Sequence, residues 1–338
     1  MNNKLHVNKI KIFVLIISPL IVALICLGVG RYNIGILETF NILFSPLTNT
    51  MVSGTDFMVI YNIRIPRIIL SLSVGLGLAV SGAAFQSMFS NPLATPDTLG
   101  VASGASFGAA LALLFNWNLI GVQFLALIFG LLALLITLWI SKNSTSQSKV
   151  VMIVLSGLVV SALFKALVSA IKYIADPNDT LPAITYWLMG SMNGANYRTL
   201  LFGLPLIIIG VLIIYFLRWR LNIISLSEDE ANSLGGHVHL VRLLLMGSAT
   251  VVTASCISMC GAVGWVGLLI PHVSRIVLGS NNKKVIPASM SLGASFLMIV
   301  DTLARSMSAS EIPLSILTAL IGAPFFIVLL KRIGGARL

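Results

Sequence analysis

The side chains in this sequence that could do chemistry are few and far apart. His237 and His239 form an H-x-H pair, a spacing that can hold a metal, but a lone pair is a weak signal and solvated polar residues are the simpler reading. Cys256 and Cys260 stand one helical turn apart, which a metal could also use. Neither has a histidine or carboxylate nearby, and with Cys26 they lie inside apolar runs, so they read as small buried hydrophobes. Asp301 is the one acid well inside an apolar run and Lys165 the one base. Arg305 follows Asp301 by one turn, so an ion pair within one helix is a sufficient explanation for that carboxylate. A proton-coupled carrier would carry more embedded carboxylates. There is no H-E-x-x-H, no G-x-S-x-G nucleophile elbow on a strand-to-helix turn and no G-x-x-x-x-G-K-[ST]. The expectation is therefore no catalytic residue, no metal site and no bound cofactor, with any ATP-driven work done by another chain.

These residues sit in an unusually apolar frame. Of 338 residues, 57% are hydrophobic and 9% are charged, and the mean hydropathy is +1.02. Soluble domains carry about 25% charged residues, so most of this chain must face lipid or other apolar helices. A membrane span takes roughly 20 residues, which leaves room for about ten spans and for no separate soluble domain. The net charge of +11 does not point to nucleic acid. The basic residues occupy short connections between apolar runs, where they set topology.

Ten spans can be drawn, at 12–30, 66–89, 99–115, 119–140, 149–171, 199–217, 241–260, 264–279, 287–306 and 313–331. Backbone in lipid must satisfy its own hydrogen bonds, so the spans are helices, and the alternating ten-residue strands of a barrel are absent. The fold class expected is all-α, a polytopic membrane helix bundle forming one domain over 1–338. The first span follows Lys4, Lys9 and Lys11 but is long and has no A-x-A cleavage site, so it reads as uncleaved. Gly104 and Gly108 form a small-xxx-small pair that lets two helices touch.

With the N-terminus inside, fourteen Lys and Arg fall in cytoplasmic segments and six in outer ones (Arg31, Arg64, Arg67, Lys172, Arg198 and Arg305). That bias predicts both termini in the cytoplasm. Segment 31–63 reads as a long outer loop. Segment 172–198 contains the apolar stretch Leu181 to Met189, too short to span, which predicts a re-entrant or interfacial helix. Segment 218–240 is the largest cytoplasmic loop. In it Ser227 and Glu230 have capping-box spacing, and Glu228 and Asp229 place acids in the first turn. Leu226, Ala231 and Leu234 supply apolar anchors, and Gly235–Gly236 stops the helix. A short capped helix there suits docking to a partner.

Four runs carry a resemblance: RIPRIILSLSVGLGLAVSGAAFQSMFSNPLATPDTLGVASGASFG (64–108), LSEDEANSLGG (226–236), GWVGLLIPHVSR (264–275) and EIPLSILTALIGAPFFIVLLK (311–331). Together they resemble the FecCD family, the permeases of type II ABC importers for iron–siderophores, haem, cobalamin and, in some members, molybdate. Trp265 departs from the pattern, since Phe is usual before V-G-L. The resemblance implies a prokaryotic plasma-membrane protein with ten helices per chain. It implies a second permease copy, identical or different, two ABC ATPases that bind ATP and Mg, an external binding protein and a metal-chelate cargo, with an iron(III)–siderophore as the expected class. Arg64, Arg67 and Arg305 match outer arginines that pair with acids on the binding protein. A guanidinium at a span end can reach water and grip a carboxylate there. The 226–236 helix matches the coupling helix that docks on the ATPase, with Ser227, Glu228, Asp229, Glu230, Ala231, Leu234, Gly235 and Gly236. The fifth span is similar to the helix lining the pathway, with Ser156, Ser161 and Ser169 as its polar positions. The competing readings are a secondary transporter acting alone and an intramembrane enzyme.

Overall fold

The computed structural model describes residues 2–335 apart from 33, 49–53, 143–148, 227, 234–237 and 309. Among the described residues every regular element is helical. The chain opens with α1 (Asn2–Gly28), α2 (Ile36–Thr48) and α3 (Gly54–Met58). A π-turn over Val59–Arg64 then leads without a break into α4 (Ile65–Met88). A single 3-10 turn, Pro96–Leu99, precedes α5 (Val101–Leu114), α6 (Leu119–Ser141), α7 (Lys149–Ile174) and α8 (Thr180–Leu188). There follow α9 (Tyr197–Leu217), α10 (Arg220–Ile224), α11 (Glu228–Ser233), α12 (Val238–Cys260), α13 (Val266–Leu278), α14 (Asn282–Ser306) and α15 (Leu314–Gly335).

Six helices among the described residues are long and apolar enough to cross a membrane: Gly54–Met88, Leu119–Ser141, Val151–Ile174, Tyr197–Leu217, Val238–Cys260 and Asn282–Ser306. Phe13–Gly28, Val101–Leu114, Val266–Leu278 and Leu314–Val328 are shorter apolar helices. Each span drawn from the sequence falls on one of these. Two of the short ones are short for a visible reason. The chain unwinds at 95–100 ahead of α5 and at 261–265 ahead of α13, where Gly100, Gly261 and Trp265 all take positive φ. Non-helical backbone at membrane depth is tolerated where protein or a water-filled cavity takes its polar groups.

The apolar windows of α4, α12 and α14 are 83%, 78% and 67% buried inside the chain, whereas those of α6, α7 and α9 are 33% buried. The first three therefore form the spine, and the others present a face to lipid or to another chain. The spine holds together through small residues. Gly75 of α4 and Gly293 of α14 meet so closely that a Cβ on either would collide with the other's carbonyl oxygen. The Gly104–Gly108 pair acts as expected, since a Cβ at either site would strike the α6 backbone at Phe129 or Leu125.

Of the two long connections drawn as outer, one differs from expectation and the other is helical as expected. The 31–63 segment is not a loop: it carries α2, α3 and the π-turn. Its apolar side packs inward, with Ile34, Ile42 and Ile60 clustered. The Leu181–Met189 stretch is helical, as α8, with Ile184 buried against Ala110 and Ile171.

Candidate functional site

Three places carry the polar chemistry: the end of the bundle where α4 begins, the end where it finishes, and a cavity between them. The 24 residues of α4 separate the ends by about 36 Å.

At the first end the three arginines turn inward. Arg67, Arg64 and Arg305 are 6%, 2% and 8% exposed. The Arg67 guanidinium donates to both oxygens of Asp301, with Nε–Oδ2 at 2.9 Å and Nη2–Oδ1 at 2.8 Å. It donates also to Glu311, Nη1–Oε1 at 2.7 Å and Nη2–Oε2 at 2.9 Å, and to Asn193 Oδ1 at 3.2 Å. Arg64 donates to Leu27 O and Tyr32 O, each at 2.5 Å, and Arg305 to Cys26 O at 2.5 Å. The last carbonyls of α1 have no partner within their own helix, and cations at a helix C-terminus satisfy both the hydrogen bond and the dipole. Two expectations are corrected here. The arginines do not reach water, because the chain supplies their acceptors itself. Asp301 takes Arg67 of α4 as its ion-pair partner rather than Arg305 of its own helix. Arg198 at the same end is exposed.

At the other end two sequence motifs meet. Gln86 near the end of α4 donates to Gly267 O at 3.2 Å and Leu268 O at 3.3 Å, and its Oε1 accepts from Arg275 Nη1 of α13. Ser90 Oγ donates to Ser225 O at 2.9 Å, which ties the α10 turn to the same place. α11 packs on α10, which lies against α4 and α12. Ala231 is fully buried, while Glu230 and Ser233 are exposed. The Ala231 methyl group, expected on an exposed face, belongs instead to the chain's own packing. Leu226, expected as an anchor, is exposed. Ser227, Leu234, Gly235, Gly236 and His237 lie outside the described residues, as do the side chains of Glu228 and Asp229. His239 is exposed. Cys26, Cys256 and Cys260 are buried free thiols in apolar surroundings.

Between the ends lies an open cavity of about 540 Å³ walled by the 95–100 turn, α5, α7 and Ala262. Gly157 of α7 lets the turn approach: a Cβ there would collide with Thr98 O and Leu99 Cα. Ser161 Oγ donates to Asp97 O at 3.4 Å, and Thr137 Oγ1 to Leu99 O at 3.0 Å. Of the expected lining residues, Ser161 and Ser169 are on the wall. Ser156 is buried and is not part of it. Lys165 and Asp97 are also on the wall, both exposed to the cavity. Asp97 was missed by reading the segment between the second and third spans as a plain connection. Pro96 at a helix start and Gly100 with φ 80° at its end are the signals of the turn that carries it. A smaller cavity of about 120 Å³ adjoins, lined by Asp97 and by the second unwound segment from Ala262 to Trp265. Trp265 holds φ 70°, and its ring lies against Gly322 of α15. A large residue in that backbone region costs about 1–3 kcal/mol and persists where the surroundings fix it.

The FecCD transport family profile matches residues 15–332. The chain is 40% identical over 322 residues to the molybdate import system permease protein MolB of Haemophilus influenzae, covering 95% of each chain. It is 33% identical over 343 residues to the iron(3+)-hydroxamate import system permease protein FhuG of Bacillus subtilis, covering 98% of this chain and 99% of that one. Among solved structures it matches an inward-facing conformation of an ABC transporter assigned to the metal-chelate type, with a TM-score of 0.86 and 39% identity over 96% of this chain and 99% of that one.

Proposed function

The chain belongs to the FecCD transport family, and from that premise we propose that its cavity between α5 and α7 is half of a pathway for a metal held in an oxygen-donor shell. The chain is a multi-pass membrane permease subunit of an ABC importer and is not itself catalytic; ATP hydrolysis belongs to a separate subunit. The observation that carries the pathway reading is the convergence of two unwound segments, 95–100 and 261–265, on two adjoining cavities inside the bundle. Transporters place substrate at such breaks, where backbone groups freed from the helix face the ligand.

The rest of the assembly follows from this reading. A second permease copy, identical or different, closes the pathway against the poorly buried face of α7. Two ATPases dock at the α11 end through Glu228, Asp229, Glu230 and the residues that follow, and ATP and Mg bind there and not on this chain. A binding protein docks at the opposite end. There Arg64, Arg67 and Arg305 shape the surface from beneath, and exposed cations such as Arg198 make the contacts. All ten apolar helices cross the plasma membrane of a prokaryote, with both termini in the cytoplasm. The cargo is an iron(III) chelate of the siderophore type. Molybdate is the second reading, favoured by the 40% identity to a molybdate permease over nearly the whole of both chains.

The test is co-purification followed by reconstitution. The permease should retain an ABC ATPase through detergent extraction, and the complex in proteoliposomes should take up one of molybdate, ferric hydroxamate, hemin or cobalamin only with ATP and a binding protein present. Uptake by the permease without any ATPase would establish a secondary transporter instead.

A further inference from the structure

We propose that Lys165 is the cation that receives an anionic oxygen of the cargo inside the pathway, and that Asp97 keeps that hold weak enough for release. The inference rests on the permease reading and deepens it: the cargo is an oxygen-rich anion, not an uncharged chelate.

Lys165 is the seventeenth residue of α7, about 24 Å along the helix from its start. A charge at that depth is expensive and marks a pathway by default. A lysine near a span end could extend to the interface instead, but Lys165 lies on the cavity wall with Ser161 one turn before it and Ser169 one turn after. Among the described residues its ammonium has no hydrogen bond and no ion pair, since both ion pairs belong to Arg67. The wall around it mixes apolar side chains with the hydroxyls of Thr98, Ser103, Ser106, Ser161 and Ser169. Thr98, Ser161 and Ser169 donate to backbone carbonyls, which leaves, among the described residues of the wall, Ser103 and Ser106 as the hydroxyls free to turn to a ligand. An ammonium on the same wall as the Ser103 and Ser106 hydroxyls is a setting for anionic oxygen, and charge-assisted hydrogen bonds are the strong ones.

Asp97 explains why such a site need not be a trap. Ser161, one turn before Lys165, donates to the Asp97 carbonyl, so Asp97 sits on the same wall about one turn nearer the start of α7 than Lys165. It attracts the ammonium between passages and repels an anion that dwells. Conduction needs binding favourable enough to enter and weak enough to leave, and this pair supplies both signs. The two residues should therefore act in opposite directions, which a purely structural ion pair would not.

The experiment uses the full complex with its ATPase and binding protein in proteoliposomes. The probes are radiolabelled molybdate, a triply charged ferric tris-catecholate and an uncharged ferric tris-hydroxamate. The wild type should carry an anionic probe. Lys165→Met should lower its uptake at limiting concentration by roughly tenfold to a hundredfold, the worth of one charge-assisted hydrogen bond, and Lys165→Arg should keep most of it. Asp97→Asn should raise the amount of anion retained by the complex and slow its release. Molybdate and the catecholate arms distinguish a bare oxyanion from a chelate. Three results overturn the inference while leaving the permease reading intact: a wild type that carries only the uncharged probe, normal uptake by Lys165→Met, or equal losses in both single variants that are restored by exchanging the two charges. A wild type that assembles with no ATPase and carries nothing refutes the permease reading itself.

Discussion

Arg67 of α4 and Asp301 of α14 hold each other in a two-point ion pair, Nε–Oδ2 at 2.9 Å and Nη2–Oδ1 at 2.8 Å, although 234 positions separate them in the chain. Glu311 closes the same guanidinium from another side. This knot fixes the beginning of α4, the end of α14 and the approach to α15 at one point. Removing the arginine leaves two carboxylates in a dry site, and breaking a buried pair from one side costs about 3–5 kcal/mol. Arg67→Met should lower the thermal midpoint of the detergent-solubilised protein by several degrees. Arg67→Met combined with Asp301→Asn should recover part of the loss, because one of the two uncompensated carboxylates is then gone. A melting curve unchanged by Arg67→Met would mean the pair contributes nothing to stability.

The spine between α4 and α14 rests on glycine rather than charge. A Cβ at Gly75 would collide with the Gly293 backbone, and no rotamer change can relieve a clash with a carbonyl. Overpacking a tight site costs typically 1–3 kcal/mol, occasionally more. Gly75→Val should therefore reduce the amount of folded protein extracted from membranes far more than Gly54→Val, where the added methyl groups meet open space. Equal yields of the two variants would contradict the close packing.

How much of this was legible beforehand depended on whether the signal was local. Hydrophobic runs are local, and each drawn span lies on an apolar helix. The Gly104–Gly108 contact was legible for the same reason. Arg64 was not. Its acceptors are carbonyls of Leu27 and Tyr32, more than thirty positions away, and a backbone carbonyl has no side-chain signature. Asp301 misled in the same way, because Arg305 at four positions looked sufficient while the real partner came from α4. The 31–63 helices are short and amphipathic, and Gly35, Pro46 and Gly54 pointed to a loop. Asp97 was hidden by position: an acid between two spans reads as solvated until Gly157 is seen to let its turn press against α7.

The α11 end yields a prediction that separates packing from docking. Ala231 is fully buried and Glu230 exposed on the same six-residue helix. Ala231→Arg buries an unpaired charge and should unfold the α10–α11 region, read as new protease sensitivity between 218 and 240. Glu230→Lys should leave protease resistance intact and, if the proposed docking face is there, reduce ATPase co-purification by reversing an exposed charge. An ATPase retained in full by Glu230→Lys would put the contact elsewhere.

Topology can be read with thiols, because the three native cysteines are buried and buried apolar thiols react slowly. Single cysteines at Lys4 and Arg337 should resist a membrane-impermeant maleimide in intact cells. Asn178→Cys, on the exposed connection before α8, should react at once. Labelling at either terminus would overturn the arrangement drawn from the fourteen-to-six basic bias.

The last prediction concerns which cations meet the binding protein. Arg64 and Arg67 carry their acceptors within the chain, carbonyls for Arg64 and carboxylates for Arg67, so a carboxylate from a partner would have to displace acceptors already desolvated and bonded. Arg198, at the start of α9, is exposed, and Lys172, at the end of α7, is half-buried. Rim charges of this kind set encounter rate and register more than final affinity, and salt screens them. Arg198→Glu with Lys172→Glu should slow association of the binding protein roughly tenfold at low ionic strength, with a smaller effect in high salt and no change in melting temperature. Arg64→Glu with Arg67→Glu should act differently. It places acids against the α1 carbonyls and beside Asp301 and Glu311, so the protein should fail to accumulate whether or not a binding protein is present. Association kinetics on the solubilised complex, paired with thermal unfolding of the same samples, distinguish the two. If the Arg64/Arg67 variant melts normally and fails only to dock, these guanidinium groups face the partner in the working state. If the Arg198/Lys172 variant associates at the wild-type rate, the docking surface lies on other residues of that end.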